Sequence, residues 1–193
     1  MKKLLALAAA LFLGACGTTG SEEPVEVVEA NPIVRIEVEG FGDIRLELDR
    51  EAAPITVENF VNLAESGFYD GVTFHRIIEG FMIQGGDPDG NGMGGSGENI
   101  IGEFPANNID NPILHERGVI SMARNMISMD SASSQFFIMH EDAPFLDGDY
   151  AAFGHVIEGM DVVDAIASGA IVEDHNGTVH PDNQPVMTRV VVE

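Results

Sequence analysis

A cation, an amide and several apolar side chains crowd into one short run of this chain, Phe74-His75-Arg76-Ile77-Ile78-Glu79-Gly80-Phe81-Met82-Ile83-Gln84-Gly85-Gly86-Asp87. The run reads as two short strands around a Glu79-Gly80 turn. Residues two apart on a strand share a face. Phe74, Arg76 and Ile78 are therefore expected on one face of the first strand, and Met82 and Gln84 on one face of the second. Arginine stays charged at any working pH and presents a planar fork of donors. A guanidinium beside an amide and apolar side chains suits a ligand that is apolar but carries a backbone carbonyl.

The elements that must position these residues can be read from periodicity. Val34, Ile36 and Val38 alternate with Arg35 and Glu37, and Ile44, Leu46 and Leu48 alternate with Arg45 and Glu47. With the turn-rich Glu39–Asp43 between them, they predict a hairpin. After Pro54 the period changes: Val57, Phe60, Val61 and Ala64 mark an amphipathic helix stopped near Gly67. Strand signals return at 72–78, 81–84, 119–123, 135–139 and 151–156. Met160, Val163, Ile166 and Ala167 mark a second helix, ended by Ser168-Gly169, and 185–192 is a closing β-rich run. Many short strands with only two helices predict a mainly β, closed structure capped by helices.

The run from Phe74 to Asp87 resembles the central signature of the cyclophilins, the peptidyl-prolyl cis-trans isomerases. Ser134-Gln135-Phe136-Phe137-Ile138 resembles a second signature of that family and Phe145-Leu146-Asp147-Gly148 a third. The resemblance covers residues 32–193. It implies a closed eight-stranded antiparallel barrel capped by two helices, and catalysis of rotation about X–Pro amides. That rotation has a barrier of about 20 kcal/mol from amide resonance and takes tens to hundreds of seconds unaided. It needs no cofactor, metal or nucleophile. A twisted amide nitrogen accepts a hydrogen bond that the planar form cannot, so a fixed cation aimed there favours the transition state.

Arg76 is the expected catalytic donor. The resemblance implies that Phe81, Met82 and Phe137 cup the proline ring, that Gln84 holds the substrate backbone, and that Leu146 belongs to the same site. Ala123 and the following Arg124 match a segment lining the adjoining groove, where an extended peptide pairs as in strand addition. Two positions depart from many eukaryotic members. Phe145 stands where they carry tryptophan, which implies weak inhibition by cyclosporin. Tyr150 stands where they carry histidine, and it can still pack on proline and donate a hydrogen bond. The apolar stretch Met126-Ile127-Ser128-Met129-Asp130 beside the groove reads first as local packing, with a hydrophobic contact for client chains as the alternative.

The first sixteen residues are set apart. Lys2 and Lys3 precede an apolar run, Leu4–Leu13, that is too short to span a bilayer and suits a secretory signal. Leu13-Gly14-Ala15-Cys16 resembles a bacterial lipobox, which implies lipidation of Cys16, the chain's one cysteine. Residues 17–31 read as a flexible acidic tether. The expected location is the cell envelope, on the outer membrane or the outer face of the cytoplasmic membrane. The expected partners are proline-containing peptides and unfolded exported proteins, with the membrane reached through the lipid. Nothing implies an oligomer, so a monomer is expected. The alternative functions are a proline-peptide binding module, or a spacing lipoprotein that uses the barrel as bulk.

Charge narrows the partners further. Nine basic residues stand against 32 acidic ones, for a formal net charge of -23. Such a surface repels nucleic acid and anionic headgroups. Two motifs in the loop after the signature are decoys. Gly90, Gly92 and Gly95 satisfy G-x-G-x-x-G, but no helix follows. Asp87, Asp89, Asn91, Gly92 and Glu98 satisfy the letters of a calcium loop, but the flanks read as strands. The histidines show no pair at ligand spacing on one helix, so no metal is expected.

Overall fold

The computed structural model describes residues 30–193. The signal and lipobox with Cys16, and nearly all of the tether, lie outside the described residues. Eight antiparallel strands form one sheet: β1 (Ile33–Val38), β2 (Gly42–Leu48), β3 (Thr73–Ile78), β4 (Met82–Asp87), β5 (Val119–Met122), β6 (Phe136–Met139), β7 (Ala152–Glu158) and β8 (Met187–Val192). The spatial order is β3-β4-β6-β5-β7-β2-β1-β8. The sheet curls until its two end strands meet. There, Thr73 bridges Val186, and backbone bonds run from Gly71 N to the Met187 carbonyl and from Phe74 N to the Pro185 carbonyl. The barrel is thus closed by a short seam, not by a full ladder.

Helices α1 (Pro54–Glu65) and α2 (Met160–Gly169) turn their apolar faces to the barrel. They bury Val57, Phe60, Val61 and Ala64, and Val162, Val163, Ile166 and Ala167, respectively. Pro54 opens α1, a position where its missing N–H costs nothing. The next amides, of Ile55 and Thr56, donate to the buried Glu103 carboxylate at 3.1 and 2.7 Å. A carboxylate 47 residues away therefore satisfies the helix start. Among the described residues no helix is long and apolar enough to cross a membrane.

Two apolar clusters lie on opposite sides of the sheet. The interior one includes Phe60, Phe74, Ile83, Phe136, Ile138 and Phe153. The outer one joins Met82, Val119, Phe137, Met139, Ala143, Leu146 and Ala152. Period-2 alternation feeds both: Phe136 and Ile138 point in, and Phe137 and Met139 point out. Along β3 the expected alternation fails. Phe74 pairs with Gly85, but Arg76 pairs with the very next residue, Gln84, so His75 is an extra residue on β3. This bulge reverses the parity. Phe74 goes into the interior, while Arg76 and Ile78 face the outer cluster, so the three do not share a face. A compensating bulge sits on β4 at Gly86, whose φ is +86° and where a Cβ would collide with the Ser134 carbonyl.

Candidate active site

Strands β3, β4 and β6 meet the 123–124 and 146–150 segments around a small cavity of about 140 Å³. It is lined by Arg76, Phe81, Met82, Gln84, Ala123, Arg124, Phe137, Leu146 and Tyr150. Of the residues proposed from the sequence, only Phe145 is missing from this wall. It stands outside on the rim, 70% exposed, with its ring 5.5 Å from that of Phe81. The floor is Phe137, flanked edge-on by Tyr150 at 5.8 Å.

The guanidinium of Arg76 is held by neutral acceptors. Nε donates to the Asn176 carbonyl at 2.8 Å, and Nη1 donates to Gln84 Oε1 at 3.1 Å. Among the described residues Nη2 has no hydrogen-bond acceptor, and no carboxylate forms an ion pair with this side chain. In so acidic a chain that is informative: the charge is positioned without being neutralised. Burial lowers the pKa of Arg76 from its ordinary value, while Tyr150 and Asp174 pull the other way. Arginine's ordinary value is so high that the group stays a cation.

The acceptor of Nε belongs to a tight loop before β8. Asp174 Oδ1 accepts from Asn176 N and Thr178 N at 2.9 and 3.1 Å, and its Oδ2 accepts from Thr178 Oγ1 at 2.9 Å. These donors, Thr178 first, hold the Asp174 carboxyl below its usual range. The loop is stitched to β3 by Ile77 N donating to the Gly177 carbonyl and Val179 N donating to the His75 carbonyl. Gly177 has φ +81°, and a Cβ there would strike the Ile77 carbonyl. Nothing in the sequence between 171 and 179 signals this contact, because it is made across about 100 residues.

Two further residues support the site without having been assigned a role from the sequence. Gln135 accepts from Gln84 Nε2 at 3.0 Å and donates to the Gly94 carbonyl at 2.8 Å, extending the chain that begins at Arg76. His115 lies buried behind Phe137 with stacked rings 6.0 Å apart. Its Nδ1 meets Asp147 and its Nε2 meets Ser121, both at 3.0 Å. Burial lowers its pKa, against the pull of Asp147. Arg124 is pinned by donating from Nε to the Asp149 carbonyl at 2.9 Å, and its guanidinium lies over Tyr150 at 4.8 Å. That contact is of the cation–π kind.

A larger groove of about 470 Å³ shares Gln84, Ala123 and Arg124 with the cavity and continues past Met93, Asn125, Ser131 and Gln135. Its far wall is the glycine-rich loop with calcium-loop letters. Here Asp87 spends its carboxylate on that loop, accepting from Asp89 N, Asn91 N and Gly92 N at 2.9, 3.0 and 2.6 Å. Burial pushes the Asp87 pKa up, but these backbone donors outweigh it and leave it lowered. The carboxylate thus shapes the groove wall. Among the described residues no group of three His, Cys, Asp or Glu is placed to hold a metal.

A small cavity beside a fixed cation, continuous with a larger groove, agrees with comparisons to known proteins. Residues 33–192 match the family model described as cyclophilin type peptidyl-prolyl cis-trans isomerase/CLD. The chain is 44% identical over 137 residues to peptidyl-prolyl cis-trans isomerase B of Bacillus subtilis, covering 71% of this chain and 92% of that protein. It is 47% identical over 134 residues to a peptidyl-prolyl cis-trans isomerase of Helicobacter pylori, covering 68% and 78%. A cyclophilin type isomerase of Cryptosporidium parvum, solved in the presence of the dipeptide Ala-Pro, superposes with a TM-score of 0.73 at 31% identity, covering 83% of this chain and 98% of that one. The chain belongs to the cyclophilin type peptidyl-prolyl cis-trans isomerases.

Proposed function

We propose that this chain accelerates X–Pro isomerisation in exported proteins as they fold, with Arg76 as the catalytic donor. The observation that carries the reading is the Arg76 guanidinium: fixed by Gln84 and Asn176, and left with Nη2 free among the described residues, beside a cavity walled in part by Phe81, Met82, Phe137 and Leu146. The proline ring enters between Phe81, Met82, Leu146 and Tyr150 and rests on Phe137. The peptide backbone runs past Gln84 into the groove beside Ala123 and Arg124, and Phe145 shields the outer edge. As the amide twists, resonance is lost and the nitrogen's lone pair, delocalised in the planar form, becomes localised and able to accept a hydrogen bond. A guanidinium N–H aimed there binds the twisted form better than either planar isomer. No proton is transferred and no bond is broken.

Preorganisation explains why such a donor is effective. It is oriented before substrate arrives, so little reorganisation accompanies the reaction. One donor of this kind is worth roughly 3–4 kcal/mol of barrier. The clients are exported chains, for which proline isomerisation can limit folding. That follows from the signal and the lipobox, with lipidated Cys16 as the anchor at the cell envelope, residues 17–31 as the tether and a monomeric domain at its end.

The test is isomerisation of a short X–Pro peptide by residues 17–193, beside Arg76→Ala. A fall of about 10² or more in kcat/KM with an unchanged fold is expected. Activity that survives intact in Arg76→Ala would remove the arginine from the mechanism. A folded domain that binds but never turns over proline peptides would favour the binding-module reading. Metabolic labelling with a fatty-acid analogue, compared with Cys16→Ser, tests the anchor.

A further inference from the structure

A second groove of about 470 Å³ lies on the outer face of β5 and β7 and shares no residue with the cavity or with the groove beside it. Its apolar walls include Ile113, Leu114, Val119 and Val156, and Asp49 stands at the edge where β2 ends. Leu114 is 54% exposed, a large aliphatic side chain turned to water. The chain enters the barrel beside this groove. Asn31 Nδ2 donates to Glu47 at 3.2 Å, and its Oδ1 accepts from Arg50 N at 3.2 Å. Continued outward by two residues, the β1–β2 register sets Asn31 opposite Asp49. Glu47 pairs with His155 on β7, and His155 pairs with Val119 on β5. Adjacent strands lie about 4.8 Å apart, so this row crosses from the chain's entry to the far wall in about 10 Å.

The sequence before Asn31 divides into two unlike halves. Residues 17–23 are only Gly, Thr, Ser and Glu, whereas residues 24–30 carry Val25, Val27 and Val28 with Pro24 and Ala30. A plain spacer has no use for branched aliphatic side chains, which are depleted in segments that never fold. All three valines lie within six residues of Asn31. Six extended residues span about 20 Å, enough to cross the groove.

From this we infer that the groove on β5 and β7 is the seat of the chain's own N-terminal segment, residues 24–29, with Val25 and Val27 set against Ile113, Leu114 and Val119. In an extended chain Val25 and Val27 share one side and Glu26 takes the other, so the apolar side meets the wall and the carboxylate stays in water. Arg117 and His155 stand in the wall beside Asp49 and Glu116, so an acidic segment meets less repulsion here than a net charge of -23 implies for the surface as a whole. A segment joined to the barrel this closely acts at about millimolar effective concentration, which favours it over a free segment of the same chemistry. Docking leaves residues 17–23 as the link to Cys16 and turns the β5–β7 face toward the membrane. That consequence rests on the lipobox reading; the docking itself does not.

The test uses residues 17–193, which contain no cysteine, so that Glu26→Cys takes a single nitroxide label. In NMR spectra of the labelled chain, the amide signals of Leu114, Val119 and His155 are expected to be broadened away. Those of Val190 and Val191, on β8 at the other side of β1, should survive. The groove signals should return when Val25→Ser/Val27→Ser is added, and those of Val119 and His155 when Leu114→Glu is added. If Leu114→Glu does not fold, the valine variant, whose changes lie outside the barrel, decides alone. Equal broadening on both sides of β1, or broadening of the groove that both variants leave unchanged, overturns the inference. A mixture of labelled chain without ¹⁵N and unlabelled ¹⁵N chain tests for exchange between copies. Groove broadening in that mixture would assign the seat to a second copy's segment and also overturn the inference.

Discussion

The two apolar clusters on either side of the sheet are built from the same strands yet serve opposite ends. On β6, Phe136 seals the interior, where Phe60, Phe74 and Tyr69 meet it at ring distances of 5.4 to 6.2 Å. Its neighbour Phe137 points to the outer face, where among the described residues its ring contacts are with Tyr150 and His115, leaving one side to the cavity. The interior cluster has met all its packing partners within the chain, so its burial contributes to folding. The outer cluster borders an open cavity, which the proposed function fills with a proline ring. Adjacent residues on a strand can therefore be assigned to stability and to binding by parity alone.

That contrast can be broken by mutation. The largest effect is expected for Phe136→Ala, which should cost about 3–5 kcal/mol of stability by leaving an interior cavity, read by urea unfolding. Phe137→Ala should cost less stability and more activity, because its ring already borders a void. Equal stability losses at the two positions would remove the distinction. Next comes Arg76→Ala, with roughly 3–4 kcal/mol lost from transition-state stabilisation and little change in urea midpoint. The reverse pattern would make Arg76 a structural residue.

A smaller effect should come from the loop that holds Arg76. Asp174→Ala should lower kcat by roughly tenfold through loss of orientation, with KM little changed. In an Arg76→Ala background the same substitution should do nothing further. The Arg76 Nε–H proton should also exchange faster with water in Asp174→Ala, which NMR reads directly.

The smallest effect concerns pH. His75 and His115 are both buried, and burial lowers both pKa values, with Asp87 and Asp147 respectively opposing. A histidine whose folded pKa is below its unfolded value of about 6.5 favours the folded state fully above that pH. The unfolded chain binds the proton more readily, so stability falls as pH drops below about 6.5 toward the lower folded value. Unfolding midpoints measured from pH 8 to 5 should decline, and His115→Gln should flatten part of the slope. No decline across that window would mean that protonation is tolerated in place.

Much of this was legible in the chain. Hydrophobic alternation placed the β1–β2 hairpin, and the helical period after Pro54 and around Met160 placed both helices, because local patterns report which face is buried. The residues of the cavity were legible through a resemblance across three separated segments, not through any local rule. What was not legible depended on tertiary closure. The β3 bulge at His75 adds one residue to a strand, and no local signal marks it, so strict alternation puts Phe74 on the face opposite to the interior one it occupies. The exit of Phe145 to the rim likewise depends on how the 144–146 turn packs on Phe81.

By itself the sequence determined the element types, the alternation that splits apolar residues between two faces, the family signatures, and a strongly negative net charge. Only the tertiary structure decided which face Arg76 occupies, that Asn176 and Gln84 hold it, and that the cavity opens into a groove past Gln84, Ala123 and Arg124. The physical reason is range. Periodicity and propensity act over a few residues. The contact that fixes the Arg76 Nε joins positions 100 residues apart and exists only once the chain has folded.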